Sequence, residues 1–124
     1  LVVCDKIDFD VARTAATNLL SRPDRPDAIL AFNDIITYAA FDAIKAMKLR
    51  IPEDVAIIGF TDGDNSAFVT PSLTAIADKA HEQGMKACEL LMRSINGDKK
   101  IYREVIPMTL IIRDSSDKKT LTGS

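Results

Sequence analysis

Short polar side chains recur in this sequence directly after β-branched apolar runs, and the chemistry they suit is multiple hydrogen bonding. Asp5, Lys6 and Asp8 follow the first such run, Asn33-Asp34 the second, Thr61-Asp62 with Asp64 and Asn65 the third, and Asp78 the fourth. A carboxylate is a multiple acceptor and an Asn amide both donates and accepts. That combination matches vicinal hydroxyls, whereas an anion would be repelled. Local roles account for the same residues: Asn33 and Asp34 suit a helix N-cap, and Asp62, Asp64 and Asn65 suit a turn around Gly63. Phe32 and Phe60 stand one residue before two of these corners and read as core.

Catalytic arrangements find less support. His81, the single histidine, has Glu82 beside it, but neighbouring helical residues do not face one another, and no Ser or Cys nucleophile stands in a motif. Asp62-Gly63-Asp64-Asn65 has the opening of a calcium loop, yet position twelve is Leu73 where a bidentate Glu is needed. No GxGxxG or GxxxxGK[ST] cradle for phosphate occurs. Cys4 and Cys88 are far apart and without CxxC spacing, so neither zinc nor a cofactor is expected, and a reduced cytoplasmic setting is.

The elements that must position these residues alternate. Strands are read at Leu1–Cys4, Ala28–Phe32, Val55–Phe60, Thr74–Ala77 and Val105–Arg113. The middle ones are apolar on both faces, as in a buried parallel sheet. Helical stripes lie between them: Val11, Ala12, Ala15, Ala16, Leu19 and Leu20; then Ile35, Ile36, Ala39, Ala40, Ala43, Ile44 and Met47, with Ile36, Ala40, Ala43, Ala46 and Met47 read as facing the core; then Met85, Cys88, Leu91, Met92 and Ile95. Asp10 is expected to cap the first helix, Asn33 the second, and Asn96-Gly97 to stop the third. The alternation implies βαβ units and an α/β fold: a three-layer parallel sheet with helices on both faces. In such sheets ligands bind beyond the carboxyl ends of the strands, where the polar corners fall. Ser115–Ser124 reads as a frayed polar tail.

Sixteen basic against eighteen acidic residues give a net charge of −2, with no cluster that would serve nucleic acid. No apolar stretch reaches the roughly 20 residues that span a bilayer. The chain opens within a strand pattern and without an initiator methionine, so further residues are expected upstream.

The run Pro26-Asp27-Ala28-Ile29-Leu30-Ala31-Phe32-Asn33-Asp34 resembles the "RPDAIFAxND" segment of the lac-repressor/gal-repressor family of transcription regulators. Ile51-Pro52-Glu53-Asp54-Val55-Ala56-Ile57-Ile58-Gly59-Phe60 and Thr70-Pro71-Ser72-Leu73-Thr74 are similar to two further family segments in the same order, and the likeness runs from about residue 10 to 115. The resemblance implies a periplasmic-binding-protein-like effector domain of two subdomains. Residues 1–77 and 107–114 would belong to the C-terminal one, 78–106 would form a crossover and an N-terminal-subdomain helix, and 115–124 a tail. It also implies a sugar-like or nucleobase-like small-molecule effector, a homodimer, and DNA binding through a separate helix-turn-helix domain.

By position, Asn33 matches the asparagine that reaches the effector, and Thr61 replaces the first acid of the family's "GFDD" while Asp62 keeps the second. This departure implies a weaker hydroxyl contact or a different effector. Asp78 stands where the family often has glutamine, and Asp8 and Asp34 complete the expected effector set. The stripe on the third helix would lack the sheet it covers in the family, so this helix is expected to fold back, swap or be covered by another chain. The second helix is apolar on two faces, and the family's two-fold interface implies that Ile35, Tyr38, Ala39, Phe68 and Val69 face a partner. A transport protein of the same fold and a doubly wound enzyme are the competing readings, and the "IPEDVAIIGF…TPSLT" wording is that of the regulators.

Overall fold

The computed structural model describes residues 2, 6–60 and 62–118. Most of the expected first strand (residues 1 and 3–5), Thr61 and residues 119–124 lie outside the described residues. The elements in order are α1 (Phe9–Leu20), β1 (Ala28–Ala31), α2 (Asp34–Ala46), β2 (Ala56–Gly59), a 3-10 turn (Asp64–Ala67), β3 (Thr74–Ala77), α3 (Ala80–Ile95) and β4 (Thr109–Ile111).

Helix α1 is capped two residues before the expected position. Asp8, in extended backbone, accepts from the N–H groups of Asp10 and Val11, and Asp10 falls in the first turn, where its charge suits the positive end of the helix. Ala12, Ala16 and Leu20 recur at four-residue spacing and make its buried stripe. Helix α2 is capped as its sequence dictates: Asn33 Oδ1 accepts from the Ile36 N–H at 2.9 Å. It closes at Met47, with Lys48 left-handed (φ 58°). Gly97 at φ 92° follows α3 after Asn96, where a residue without Cβ is favoured.

The sheet order is β1-β2-β3-β4. The first three strands are parallel, and β4 runs antiparallel to β3 with Ile76 opposite Leu110. The closing strand is therefore shorter than its β-branched run and reversed relative to the rest, which makes the sheet mixed. Side chains alternate between faces along a strand, so Ile29, Ala31, Ile57 and Ala75 share one face. That face meets α2, and α1 packs on α2. The core lies there, around Leu20, Ile44, Val55, Ile57 and Leu73, each at most 2% exposed. Full burial of such side chains stabilises by about 1.5–3 kcal/mol each.

On α2 the buried set is Thr37, Ala39, Ala40, Phe41, Ala43 and Ile44, while Ala46, expected in the core, is exposed. The other sheet face carries Leu30 and Leu110, 65% and 52% exposed. Two further expectations are narrowed. Of the outcomes expected for α3, folding back onto its own chain does not occur: it has no buried residue, and Met85, Cys88, Leu91, Met92 and Ile95 are all exposed. Ser115, expected to open a polar tail, is fully buried.

Candidate functional site

Three parallel strands end on one rim, and each hands the chain to a polar corner. After β1 come Phe32, Asn33 and Asp34; after β2 come Phe60 and Asp62; after β3 comes Asp78. The ladder carries on past the strand ends, since the Phe60 N–H donates to the Ala31 carbonyl at 2.8 Å. Adjacent strands lie about 4.8 Å apart, so Asn33, Asp62 and Asp78 are spread across one rim. Helix α1 runs back to the amino end of β1, and its cap Asp8 therefore stands at the level of the same rim. Of the six residues expected to meet an effector, the fold brings Asn33, Asp34, Asp62, Asp78 and Asp8 to this end, and Thr61 lies outside the described residues.

The cap fixes how Asn33 can be used. Its Oδ1 is taken by the Ile36 N–H, and its backbone carbonyl accepts from both the N–H and the hydroxyl of Thr37 at 2.8 and 2.6 Å. Its amide NH2 remains as the donor for anything beyond the rim, beside the second lone pair of Oδ1. Asp34 abuts the loop after β2: a Cβ on Gly63 would stand 2.9 Å from Asp34 Oδ2, so the end of this carboxylate lies against the backbone of residue 63. Deeper in the fold a Cβ on Gly59 would press on Thr37 Cγ2 at 3.2 Å and Leu73 Cδ2 at 3.3 Å, both buried, so close packing here favours a residue without a side chain. Asp78 Oδ1 accepts from the Ala80 N–H at 3.2 Å, and its carbonyl accepts from the Gln83 amide, so it serves the start of α3.

Asp62 has a partner that sequence reading missed. Arg113 Nη1 donates to Asp62 Oδ1 at 2.7 Å, Nη2 to Oδ2 at 3.2 Å, and Nη1 also to the Leu73 carbonyl at 2.7 Å. Both side chains are only about one-fifth exposed. The carboxylate beside it holds the guanidinium more firmly in its charged form. A lone Arg at the end of a β-branched run, 51 positions from its partner, carries no spacing signal.

Phe32 and Phe60 stack, with centroids 5.7 Å apart and planes at 20°. Phe32 is 71% exposed, so it is not the core residue its sequence context suggests. A groove of about 520 Å³ runs along the outer edge of β1 instead of across the polar rim, lined by apolar residues such as Ala12, Ala16, Leu19 and Leu30. Its lining shares Phe32 with the rim and none of the rim's acidic residues, so the polar corners, and not this groove, form the candidate site.

The residues expected at a dimer contact divide. Phe68 is 84% exposed and Ile35 45%. Val69 and Tyr38 pack against the core of their own chain, with the Tyr38 hydroxyl enclosed. Ala39 is fully buried and has no surface to give to a partner, because α2 turns this residue toward the interior.

The family described as periplasmic binding protein-like domain matches residues 2–116. The ribose operon repressor of Haemophilus influenzae is 31% identical over 115 residues, covering 92% of this chain and 35% of that protein. The transcriptional repressor PurR of Aliivibrio salmonicida is 36% identical over 103 residues, covering 82% and 31%. Among solved structures, a LacI family transcriptional regulator from Arthrobacter sp. FB24 in complex with lactose superposes with a TM-score of 0.83 at 30% identity, covering 94% of this chain and 44% of that one. The chain thus spans about a third of the length of the curated relatives it matches.

Proposed function

The chain belongs to the periplasmic binding protein-like domain family, and from that premise we propose that it is the effector-sensing region of a transcription regulator, with a neutral sugar-like molecule as effector. The carrying observation is the acceptor-rich rim: Asn33, Asp34, Asp62 and Asp78 at the carboxyl ends of three adjacent parallel strands. Its chemistry suits hydroxyl groups, which donate to carboxylates and accept from the Asn33 amide. The similarity to a ribose operon repressor and to a regulator solved with lactose supports a sugar over other polar ligands.

In this reading the site binds and does not catalyse, needs no cofactor, and reports occupancy to a DNA-binding region of the same protein. Asp8 and Thr61 complete the effector set. Phe68 and Ile35 offer the surface for a homodimer contact, with Tyr38, Ala39 and Val69 supporting it from within. Among the described residues no helix is long and apolar enough to cross a membrane, and the reading places the regulator in the cytoplasm with its operator.

A thermal-shift screen of the intact regulator against ribose, glucose, lactose and purine bases tests this. An effector present at 100 times its dissociation constant stabilises the native state by ~2.7 kcal/mol. A sugar should give that shift. A shift from a base alone would replace the sugar reading, and none from any compound would remove the effector reading.

A further inference from the structure

We propose that Arg113 is the positioning residue of the rim: one guanidinium closes the loop 62–73 at both of its ends and couples the shape of that loop to β4. The fork donates to both oxygens of Asp62, where the loop begins, and to the carbonyl of Leu73, where it returns to the sheet. A planar guanidinium fixes a carboxylate in orientation as well as position, which an ammonium does not. Within the loop, the Ser66 carbonyl accepts from the Leu73 N–H at 2.7 Å, and Gly63 leans on Asp34. Holding Asp62 therefore also holds the contact between this loop and the start of α2.

The base of Arg113 is itself anchored. Its N–H donates to Thr74 Oγ1 and its carbonyl accepts from the same hydroxyl, both at 2.8 Å. Ser72 donates to Asp114 at 2.7 Å. Arg113 follows β4 by two residues, and β4 is the strand that brings the chain back from α3. A displacement of that returning segment would reach Asp62 through the Arg113 guanidinium that bridges the two. Two lone-pair directions on Asp62 are taken by Arg113, and the others remain for hydroxyl donors at the rim. This last point rests on the proposed function, and the latch itself does not.

The test uses the intact protein that contains this chain, without ligand and then with ribose, glucose and lactose. Hydrogen exchange of the Ser66, Phe68, Val69 and Leu73 amides should quicken by about tenfold or more in Arg113→Gln and in Asp62→Asn, with α1 and α2 unchanged. The double variant should be no faster than the faster single one, because both remove the same contact. Arg113→Lys, which keeps the charge and loses the fork, should fall between, and it decides the matter if Arg113→Gln does not fold. Loop amides that keep their protection in folded Arg113→Lys and Asp62→Asn overturn the latch.

Any sugar that binds the parent should bind Asp62→Asn and Arg113→Lys about fivefold or more weakly. Equal affinity overturns the aiming of Asp62. If no sugar binds the parent, the sugar reading falls, and the latch stands or falls on exchange alone.

Discussion

The hydroxyl of Ser115 donates to the carbonyl of Ile57 at 2.6 Å, joining residues 58 positions apart in the middle of the sheet. The same oxygen accepts from the Thr74 N–H at 2.8 Å, and the Ser115 carbonyl accepts from the Ile57 N–H at 3.0 Å, so this residue fills the gap where β2 and β3 diverge. All three residues are fully buried.

Ser115→Ala would leave a buried carbonyl and a buried N–H without their partner. Each orphaned group costs about 1–3 kcal/mol. Urea unfolding should show a loss of roughly 2–4 kcal/mol with the slope unchanged. A loss within ~0.5 kcal/mol of zero, the usual range for a neutral surface change, would mean that the bridge contributes nothing.

Helix α3 is held to the rest of the chain by no buried residue, yet Met85, Leu91, Met92 and Ile95 are half or more exposed on it. A patch of that kind rarely stays in water. The isolated chain is expected to self-associate in sedimentation equilibrium, and the pair Leu91→Lys/Ile95→Lys to restore the monomer. Identical sedimentation of the two chains would refute this role for the stripe.

Much of this architecture was legible in the sequence. The apolar runs of β1 to β3, the Ala12-Ala16-Leu20 stripe of α1, the Asn33 cap and the Asn96-Gly97 stop are local signals, and they lie where their residues put them, whereas Val11 on α1 and Ala46 on α2 are exposed and Thr37 and Phe41 are buried in their stead. What was not legible depends on distant or absent partners. Arg113 meets Asp62 only through the pairing of β3 with β4. Phe32 sits in an apolar run that looks buried on both faces, but among the described residues the helices cover the face opposite to Leu30. The choice between Asp8 and Asp10 as cap turns on a single extended residue, and both carry the same chemistry. Ser115 resembles a polar tail because its two partners lie in other strands.

Phe68, at 84% exposed, is the largest free apolar side chain in the loop after β2. Burying a Phe against a partner contributes about 1.5–3 kcal/mol. In the intact protein, Phe68→Asp should weaken dimerisation by roughly tenfold or more in sedimentation equilibrium. An unchanged dimer would move the contact elsewhere.

Asp54 accepts from the backbone N–H, the Nε and an Nη of Arg50 at 2.8 to 3.0 Å. These bonds hold its carboxyl well below the usual carboxylate range. A carboxyl depressed in the folded state contributes stability that is present above its unfolded pKa, about 3.9, and is lost as the pH falls from there through the folded value. Carboxyl NMR should therefore find Asp54 still ionised when exposed carboxylates have protonated, and Asp54→Asn should remove some of the stability loss below about pH 4. Titration of Asp54 near 4 would contradict the assignment.

The most direct measurement is calorimetric titration of the intact regulator and its Asn33→Ser variant with the sugar that stabilises it. Serine keeps a capping oxygen for the Ile36 N–H, so α2 should stay intact. It lacks the amide NH2, and loss of that one donor should weaken the sugar by roughly 1–3 kcal/mol, about five- to 150-fold. Equal affinity in the two proteins, with the helix preserved, would mean that Asn33 is a cap alone and that the effector does not bind at this rim.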